Sequence, residues 1–318
     1  MDEAEGAEQN IWIMKPTASS QGRGIFLVNN LNDVSYSQNM VVQRYIKNPL
    51  LINGFKFDLR LYVCVLSFAP TMEAFIHSKG FARYSSQKYA SDAASLENTM
   101  IHLTNSSIQN KVMQADNAES GSKQSLEALW AVLASQGLER GPLWAKICEV
   151  VLRSLFCVVE QMGVHPNCFE LFGYDILIDD ECNAHLIEVN SSPAMTRHNP
   201  LDHAVKDEVI ADTIRLVSPP PFDRDALGAL LQKHTSCKGG GSRRRGAGGL
   251  SAGTGSSAAQ LAQDLHGVLG DEYATEGARA LDVAQPVLPE GRLGGFEQLA
   301  PSKMYDAICR PFGKAKPR

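Results

Sequence analysis

The chain lacks the features that mark secreted, disulfide-bonded or membrane-spanning proteins. Its seven cysteines are scattered, odd in number and contain no CxxC pair, so they indicate reduced thiols rather than a disulfide framework or a zinc site. No apolar run approaches the roughly 20 residues that cross a bilayer. The acidic first ten residues contain no apolar segment of the kind found in secretory signals. We therefore expect a cytosolic protein with no membrane partner.

The overall charge conceals an uneven distribution along the chain. The 318 residues are 44% hydrophobic and 20% charged, with a net charge of −5, which is ordinary for a globular protein with a substantial core. Residues 11–110, however, contain nine lysines and arginines against five acids, a local balance of +4. Such a balance suits an anionic ligand such as a nucleotide, or an acidic polypeptide. A mixed, solvated surface is the alternative explanation.

Composition divides the chain into three parts. Residues 1–10 form an acidic stub, and residues 11–221 alternate apolar strands, polar turns and helical stretches. This order favours an α+β fold with a largely antiparallel sheet, ending in a helix over residues 203–217 with Asp202 as its N-cap. Residues 222–318 are interpreted as a low-complexity, mostly disordered tail. Its arginine triplet lies in a Gly/Ser-rich stretch, which favours a flexible linker over a nucleic-acid contact.

Residues 170–195 carry the most specific pattern. They predict two strands joined by a polar turn, with Asp175 on the first strand and Glu188 and Asn190 on the second. Side chains two residues apart on a strand point to the same side, so Glu188 and Asn190 share a face. Hard oxygen ligands that converge from adjacent strands are what Mg²⁺ requires. A hairpin whose acids lie in water at a sheet edge is the alternative.

A strand that ends in Lys15 is followed by a small polar loop with two glycines, Gly22 and Gly24. Glycines allow backbone N–H groups to approach phosphate, and a lysine adds a mobile positive charge. The loop has neither the P-loop spacing nor the GxGxxG pattern. On this segment alone, an ordinary hairpin loop is therefore the favoured interpretation.

Residues 56–63 alternate between apolar and polar side chains, which predicts a strand. This alternation places Lys56, Asp58 and Arg60 on one face of that strand, opposite an apolar face. An arginine can hold a carboxylate or a phosphate at two points, and we expect Asp58 to orient Arg60. A surface strand with an internal ion pair is the alternative. Further polar candidates follow along the chain: Arg83, His102, Thr104 and Asn105.

Taken in order, these segments resemble the tubulin tyrosine ligase-like family of ATP-grasp ligases, and most closely its polyglutamylase branch. The resemblance covers residues 11–217 and is carried by the motifs WIMKP, SQGRGI, VQRYIKNPLLI, KFDLRLYV, GFAR, HLTN, FGYDILID and LIEVNSSP. It implies ATP-grasp-like central and C-terminal subdomains.

The resemblance also implies a role for each matching residue. The phosphates of ATP would contact Lys15 and the loop residues Ser20, Gln21, Gly22, Arg23 and Gly24. The adenine site would be lined by Gln43, Arg44, Tyr45 and Ile46. Nucleotide and acceptor would be served by Lys56, Asp58 and Arg60, the incoming amino acid by Arg83, and the phosphate and ribose border by His102, Thr104 and Asn105. Two Mg²⁺ ions would be held by Asp175, Glu188 and Asn190, with Glu188 bridging them.

The implied reaction joins free glutamate to glutamate side chains of tubulin C-terminal tails at the expense of ATP, through an acyl phosphate. The implied setting is the cytoplasm and the cytoskeleton, at a cilium or basal body. A glycine or tyrosine ligase of the same family, and an inactive microtubule-binding scaffold, remain alternatives. In the family a further domain precedes the ligase module and helps to cover ATP. Because only about ten residues precede Ile11, we expect that domain to be missing.

Overall fold

The computed structural model describes residues 10–17, 22–30, 32, 34, 39–92, 95–105, 109, 122–163, 168–217, 224–236, 263–265, 267–268 and 291–312. The chain divides into two compact units, Met1–Val217 with Leu293–Arg318, and Ser218–Arg292. Within the second unit, a helix spans Arg224–Ser236. All other elements named below belong to the first unit.

A small antiparallel sheet begins the first unit. Its strands are β1 (Trp12–Pro16), β2 (Phe26–Val28) and β3 (Met40–Arg44), in the order β2-β1-β3. The glycine loop joins β1 to β2, and both Gly22 and Gly24 adopt positive φ angles, 74° and 72°. This left-handed backbone favours glycine, so the loop requires residues without a Cβ at both positions.

A seven-stranded antiparallel sheet forms the body of the first unit, in the order β10-β6-β5-β8-β9, with β4 beside β5 and β7 beside β6. Its strands are β4 (Leu51–Ile52), β5 (Phe55–Ser67), β6 (Glu73–Lys88), β7 (Lys123–Ser125), β8 (Glu170–Ile178), β9 (Ala184–Asn190) and β10 (Phe296–Ala300). The helices are α1 (Thr99–His102), α2 (Leu126–Ser135), α3 (Arg140–Val158), α4 (Pro200–Val217), α5 (Arg224–Ser236, in the second unit) and α6 (Lys303–Cys309), followed by a 3-10 turn at Arg310–Phe312. The predicted α+β fold with largely antiparallel sheets is confirmed.

The main core lies between one face of this sheet and helices α2 and α3. Phe57, Leu59 and Leu61 point to that face, as the alternation along β5 predicts, and each is at most 1% exposed. They pack in one cluster with Leu129 of α2 and Ile147 of α3. Each such side chain contributes about 1.5–3 kcal/mol when fully buried. The opposite face of β5 is therefore free to carry charge.

Strand β6 is long and continuous. It runs over Glu73–Lys88 with irregular register against β5. A Cβ at position 80 would lie 2.4 Å from the carbonyl oxygen of Arg60, so the glycine permits close strand contact there. Phe81 and Arg83 therefore lie within the sheet, opposite Arg60 and Asp58.

The interpretation of residues 222–318 as tail fails for their last part. Strand β10 pairs with Ala74–His77 of β6, and α6 packs its Tyr305 and Ile308 into the main core. The apolar pattern over residues 296–309 is short and follows a Gly-rich stretch, so composition alone conceals it. The predicted disordered tail must be corrected to exclude residues 293–312.

The N-cap prediction for α4 is also wrong. The helix begins at Pro200, and the side chain of Asn199 accepts a hydrogen bond from the backbone N–H of Asp202 at 2.7 Å. Asp202 lies in the first turn, with no solvent exposure. It is therefore a buried charged residue that requires ionic partners.

Within the described part of the chain, no helix combines the length and the apolar character that crossing a membrane demands. The six cysteines that the structure describes are all free thiols.

Candidate active site

The charged face of the large sheet is organised by strand register. Asp58 on β5 lies opposite Arg83 on β6, and Arg60 on β5 lies opposite Asp175 on β8. Asp175 in turn lies opposite Glu188 on β9. Side chains directly opposite each other on one face are about 4.5–5.5 Å apart at Cβ, so these residues form two adjacent rows, Arg83–Asp58 and Arg60–Asp175–Glu188.

Two arginines hold the central acids. Arg83 donates from Nε and Nη2 to the carboxylate oxygens of Asp58 at 2.7 and 2.6 Å. Arg60 donates from Nε and Nη2 to Asp175 at 2.5 and 3.0 Å. Arg83 also lies 2.8 Å from Asp175. The expectation that Asp58 orients Arg60 is therefore wrong, because Asp58 faces Arg83 across the ladder.

The predicted metal ligands converge. Asp175 and Glu188 are a cross-strand pair, and the amide nitrogen of Asn190 donates to Glu188 Oε1 and to the Gly173 carbonyl, each at 3.3 Å. Burial would raise the pKa of Asp175, but Arg83 and Arg60 hold it below its ordinary value. Burial and the charge of Asp175 together raise the pKa of Glu188. Two carboxylates and an amide oxygen form a donor set of the kind that Mg²⁺ prefers.

A chain of buried hydrogen bonds links Lys56, Tyr45 and His102. Lys56 Nζ donates to the Tyr45 hydroxyl at 3.0 Å and to the His102 carbonyl at 2.9 Å. His102 Nε2 donates to the Ser95 carbonyl, so its Nδ1 accepts from Tyr45 at 2.9 Å. Burial lowers the pKa of Lys56 to about 7, Asp58 opposes that change, and Lys15 adds to it. A nearby anion would therefore stabilise the ammonium form of Lys56.

Lys15 extends from the small sheet toward the acid pair. Its Nζ donates to Gln43 Oε1 at 2.8 Å. Burial lowers the pKa of Lys15, whereas the charges of Glu188 and Asp175 raise it. Lys15 is therefore close enough to both acids to interact with them electrostatically.

The two sheets enclose a cleft of about 210 Å³ in which the predicted residues meet. Most of the predicted set lines it: Lys15, Gly22, Arg23, Gln43, Arg44, Tyr45, Ile46, Lys56, Asp58, Arg83, His102, Thr104, Asn105, Asp175, Glu188 and Asn190. Gly24 and Arg60 are not among the lining residues, although Arg60 reaches the cleft through Asp175. Ser20 and Gln21 lie outside the described residues.

A second group of potential metal ligands lies elsewhere on the sheet and was not predicted. His77, Glu208 and Asp212 bring their ligand atoms within 4.8 Å of one another. Each acid already has a cationic partner, because Glu208 pairs with Lys79 at 2.6 Å and Asp212 pairs with Arg215. Asp212 also accepts from the Gly295 backbone N–H at 2.6 Å and lies 3.1 Å from His77 Nε2. This group secures the segment that leads into β10. No sequence signal links residues so far apart.

Sequence comparisons identify the family to which the chain is similar. The model of the tubulin-tyrosine ligase family matches residues 1–226. Human tubulin polyglutamylase TTLL5 is 36% identical over 220 residues, covering 65% of this chain and 17% of that protein. The human probable tubulin polyglutamylase TTLL2 is 37% identical over 216 residues, covering 67% and 36%. The probable alpha-tubulin polyglutamylase Ttll1 of Tetrahymena thermophila is 35% identical over 249 residues, covering 72% and 59%.

In each of these comparisons the chain spans less than two thirds of the relative's length. The family match nevertheless covers more than half of this chain and includes every residue of the cleft. The chain belongs to the tubulin-tyrosine ligase family.

Proposed function

We propose that the protein is an ATP-dependent ligase that adds glutamate to glutamate side chains of tubulin C-terminal tails. The observation that carries the proposal is the Asp175–Glu188 pair, which lines, with Asn190, a cleft that is also lined by Lys15 and Lys56. Carboxylates can bind a divalent cation and neighbouring lysines can bind phosphate, so one cavity would provide both sites.

The residues fit the nucleotide and metal that this reaction needs. Asp175, Glu188 and Asn190 would hold two Mg²⁺ ions, because all three line the cleft and provide the oxygen donors that Mg²⁺ prefers. Lys15, Lys56, Gly22, Arg23 and the neighbouring loop would hold the phosphates. Adenine would lie against the segment Gln43, Arg44, Tyr45 and Ile46, and the ribose side would face His102, Thr104 and Asn105.

ATP, as a substrate, would transfer its γ-phosphoryl group to the acceptor carboxylate and leave as ADP. The amine of free glutamate would then attack the acyl phosphate, forming an isopeptide bond and releasing phosphate and a proton. The chain's own contribution is positioning and charge. Arg60 and Arg83 would stabilise the negative charge that develops in the transition state, and their hydrogen bonds to Asp175 and Asp58 support this role by holding both guanidinium groups in fixed positions. The positive balance of residues 11–110 suits an acidic acceptor tail.

The names of the relatives support tubulin as the acceptor and glutamate as the donor. The same names support a cytoplasmic or cytoskeletal role. We propose cilia and basal bodies as sites of action from the family resemblance alone.

The decisive experiment incubates the purified chain with tubulin, Mg-ATP and labelled glutamate, glycine or tyrosine in parallel. Incorporation of glutamate alone, lost in Glu188→Gln, is the expected result. Incorporation of glycine or tyrosine instead would replace glutamate in the proposal. ATP binding without incorporation of any amino acid would contradict ligase activity and favour an inactive microtubule-binding scaffold.

A further inference from the structure

The buried hydrogen-bond chain that begins at Lys56 joins four segments. Lys56 lies on β5, Tyr45 directly follows β3, His102 ends α1, and Ser95 precedes α1. Each of these four residues is at most 8% exposed. The chain therefore connects the end of the small sheet to the large sheet through side chains that solvent barely reaches.

The hydrogen bonds of this chain all run in one direction. The Lys56 ammonium can only donate, so the Tyr45 hydroxyl accepts from it at 3.0 Å and gives its own hydrogen to His102 Nδ1 at 2.9 Å. His102 Nε2 then donates to the Ser95 carbonyl at 2.9 Å. This order requires a neutral imidazole with its proton on Nε2. A proton on Nδ1 would turn the Tyr45 hydrogen toward the Lys56 ammonium.

The far end of the chain is fixed by the backbone around Ser95. The Ser95 hydroxyl donates to the carbonyls of Ala90 and Asp92 at 3.0 and 2.8 Å, and its N–H donates to Asp92 Oδ1 at 2.9 Å. The Asn98 N–H donates to the Ser95 carbonyl at 2.9 Å, beside the bond from His102. Both lone pairs of that carbonyl are therefore used, which fixes the acceptor that orients the His102 ring.

His102 lines the cleft, but its ring offers no free nitrogen to a ligand. The residue is 2% exposed, and both ring nitrogens are engaged within the chain. The rings of Tyr45 and Tyr89 contact it edge-on, with centroids at 5.5 and 5.9 Å. A direct role for the imidazole in binding a nucleotide is therefore disfavoured, and a role inside the protein is favoured.

Lys56, in contrast, keeps one donor for the cleft. Two of its three N–H groups go to the Tyr45 hydroxyl and to the His102 carbonyl. Among the residues that the structure describes, the third has no hydrogen-bond acceptor, and Lys56 lines the cleft. The two internal bonds thus set the direction in which the third N–H points.

The charges around His102 agree with a neutral imidazole. Burial lowers the pKa of His102, the hydrogen bond to Ser95 raises it, the charge of Lys56 lowers it, and Asp92 raises it. The net effect is a pKa below the ordinary value of histidine. The direction of the chain is therefore maintained at neutral pH.

The charges around Lys56 make its internal acceptors important. Burial lowers the pKa of Lys56 to about 7, Asp58 opposes that change, and Lys15 adds to it. An oxygen that accepts from the ammonium stabilises the charged form. The Tyr45 hydroxyl provides such an oxygen only while its hydrogen is given to His102.

We propose that His102 is a positioning residue that acts through the Tyr45 hydroxyl to direct the remaining N–H of Lys56 into the cleft, toward a phosphate of the nucleotide. The inference rests on the proposed function, in which Lys56 holds phosphate. The His102 imidazole touches neither the nucleotide nor the reacting atoms. Its contribution is to fix the direction of the hydrogen bonds that end at Lys56.

The test uses substitutions that break the chain at single atoms. Tyr45→Phe removes the hydroxyl but keeps the ring beside the Lys56 ammonium, which lies 4.6 Å from its centroid. His102→Phe removes the acceptor at Nδ1, whereas His102→Asn keeps an oxygen acceptor near that position. The matched control Tyr84→Phe removes an exposed hydroxyl that bonds Gln124.

NMR of the full chain with ¹³C-labelled lysine follows the titration of Lys56, whose signal is identified by its absence in Lys56→Met. Tyr45→Phe and His102→Phe should each lower the midpoint by about one pH unit, because a hydrogen bond to the ammonium is lost or misdirected. Both should also raise the Kd for ATP about fivefold or more near neutral pH. His102→Asn should retain most of the wild-type behaviour, and Tyr84→Phe should retain all of it.

The double variant Tyr45→Phe/His102→Phe should lose no more than the more affected single variant, because both substitutions break the same chain. Additive losses would overturn the inference by showing that the two residues act independently. An unchanged midpoint for Lys56 in both single variants would also overturn it, while leaving ATP binding and the ligase function intact. If the wild-type chain binds no ATP, the proposed function fails, and the midpoint of Lys56 in the free chain still decides whether His102 positions it.

Discussion

Arg83 and Asp58 lie directly opposite each other on β6 and β5 and form a two-point ion pair, with N–O distances of 2.7 and 2.6 Å. Arg83 also reaches Asp175, and Thr104 donates its hydroxyl to Asp58 at 2.6 Å. The pair is buried on both sides. Any amino acid held by Arg83 must therefore share a guanidinium that two acids already hold.

Asp58→Asn should reduce stability strongly. It leaves Arg83 buried with one anionic partner instead of two, and breaking a buried ion pair costs about 3–5 kcal/mol. Denaturant unfolding measures the loss. The control Glu149→Gln removes an exposed pair with Arg153 on α3 and should cost under about 0.5 kcal/mol. Equal effects of the two substitutions would show that the Arg83–Asp58 pair contributes little.

Nucleotide binding should take up a proton through Lys56. Burial lowers the pKa of Lys56 to about 7, and nearby phosphate charge would stabilise the ammonium form and raise that pKa again. Above about pH 7, ATP binding should therefore be linked to proton uptake, and ATP affinity should fall as the pH rises. Calorimetry in two buffers of different ionisation enthalpy measures the uptake.

Lys56→Met should abolish this uptake, while Lys88→Met, which removes an exposed lysine, should leave it unchanged. Identical uptake in wild type and Lys56→Met would assign the proton to another group.

Gly173→Ala should disturb the segment that follows the predicted metal ligands. A Cβ at position 173 would lie 2.8 Å from Pro193 Cβ and 3.4 Å from Arg60 Cδ. Such overpacking costs about 1–3 kcal/mol. Gly141→Ala is the matched control, because its Cβ meets nothing within 4 Å on α3, and it should stabilise the helix by up to about 1 kcal/mol. Thermal unfolding would contradict the prediction if both variants were stabilised.

The C-terminal segment should contribute substantially to the stability of the main core. Leu299 on β10 is 4% exposed and packs in the main core, so Leu299→Ala should cost about 2–5 kcal/mol. The control Ile214→Ala removes an exposed side chain of α4 and should change stability by less than about 0.5 kcal/mol. If Leu299→Ala were as mild as the control in denaturant unfolding, β10 would be dispensable for the core.

The sequence predicts local structure well where the alternation is regular. The two strands predicted within residues 170–195 are present as β8 and β9, and the apolar face of β5 is the predicted one. Both follow from period-two patterning, which depends only on neighbouring residues. Local patterning does not predict that the site residues meet in one cleft. That prediction followed from the family resemblance, which rests on the order of the motifs.

Long-range pairing was beyond prediction. The partner of Asp58 depends on the register between β5 and β6, and a shift of one residue would exchange the faces. The burial of Asp202 depends on Lys123, a residue 79 positions away. The docking of β10 joins segments that a Gly-rich stretch separates. A single sequence contains no direct record of such contacts.

The most direct test of the proposed site measures ATP affinity as a function of Mg²⁺ concentration, with Glu188→Gln compared to Glu181→Gln. Glu181 lies in the turn of the same hairpin and is exposed, so it matches the charge change outside the cleft. We predict that Mg²⁺ tightens ATP binding in wild type and Glu181→Gln, and that Glu188→Gln loses this effect. The same Mg²⁺ dependence in Glu188→Gln would contradict the assignment of Asp175, Glu188 and Asn190 as the metal site.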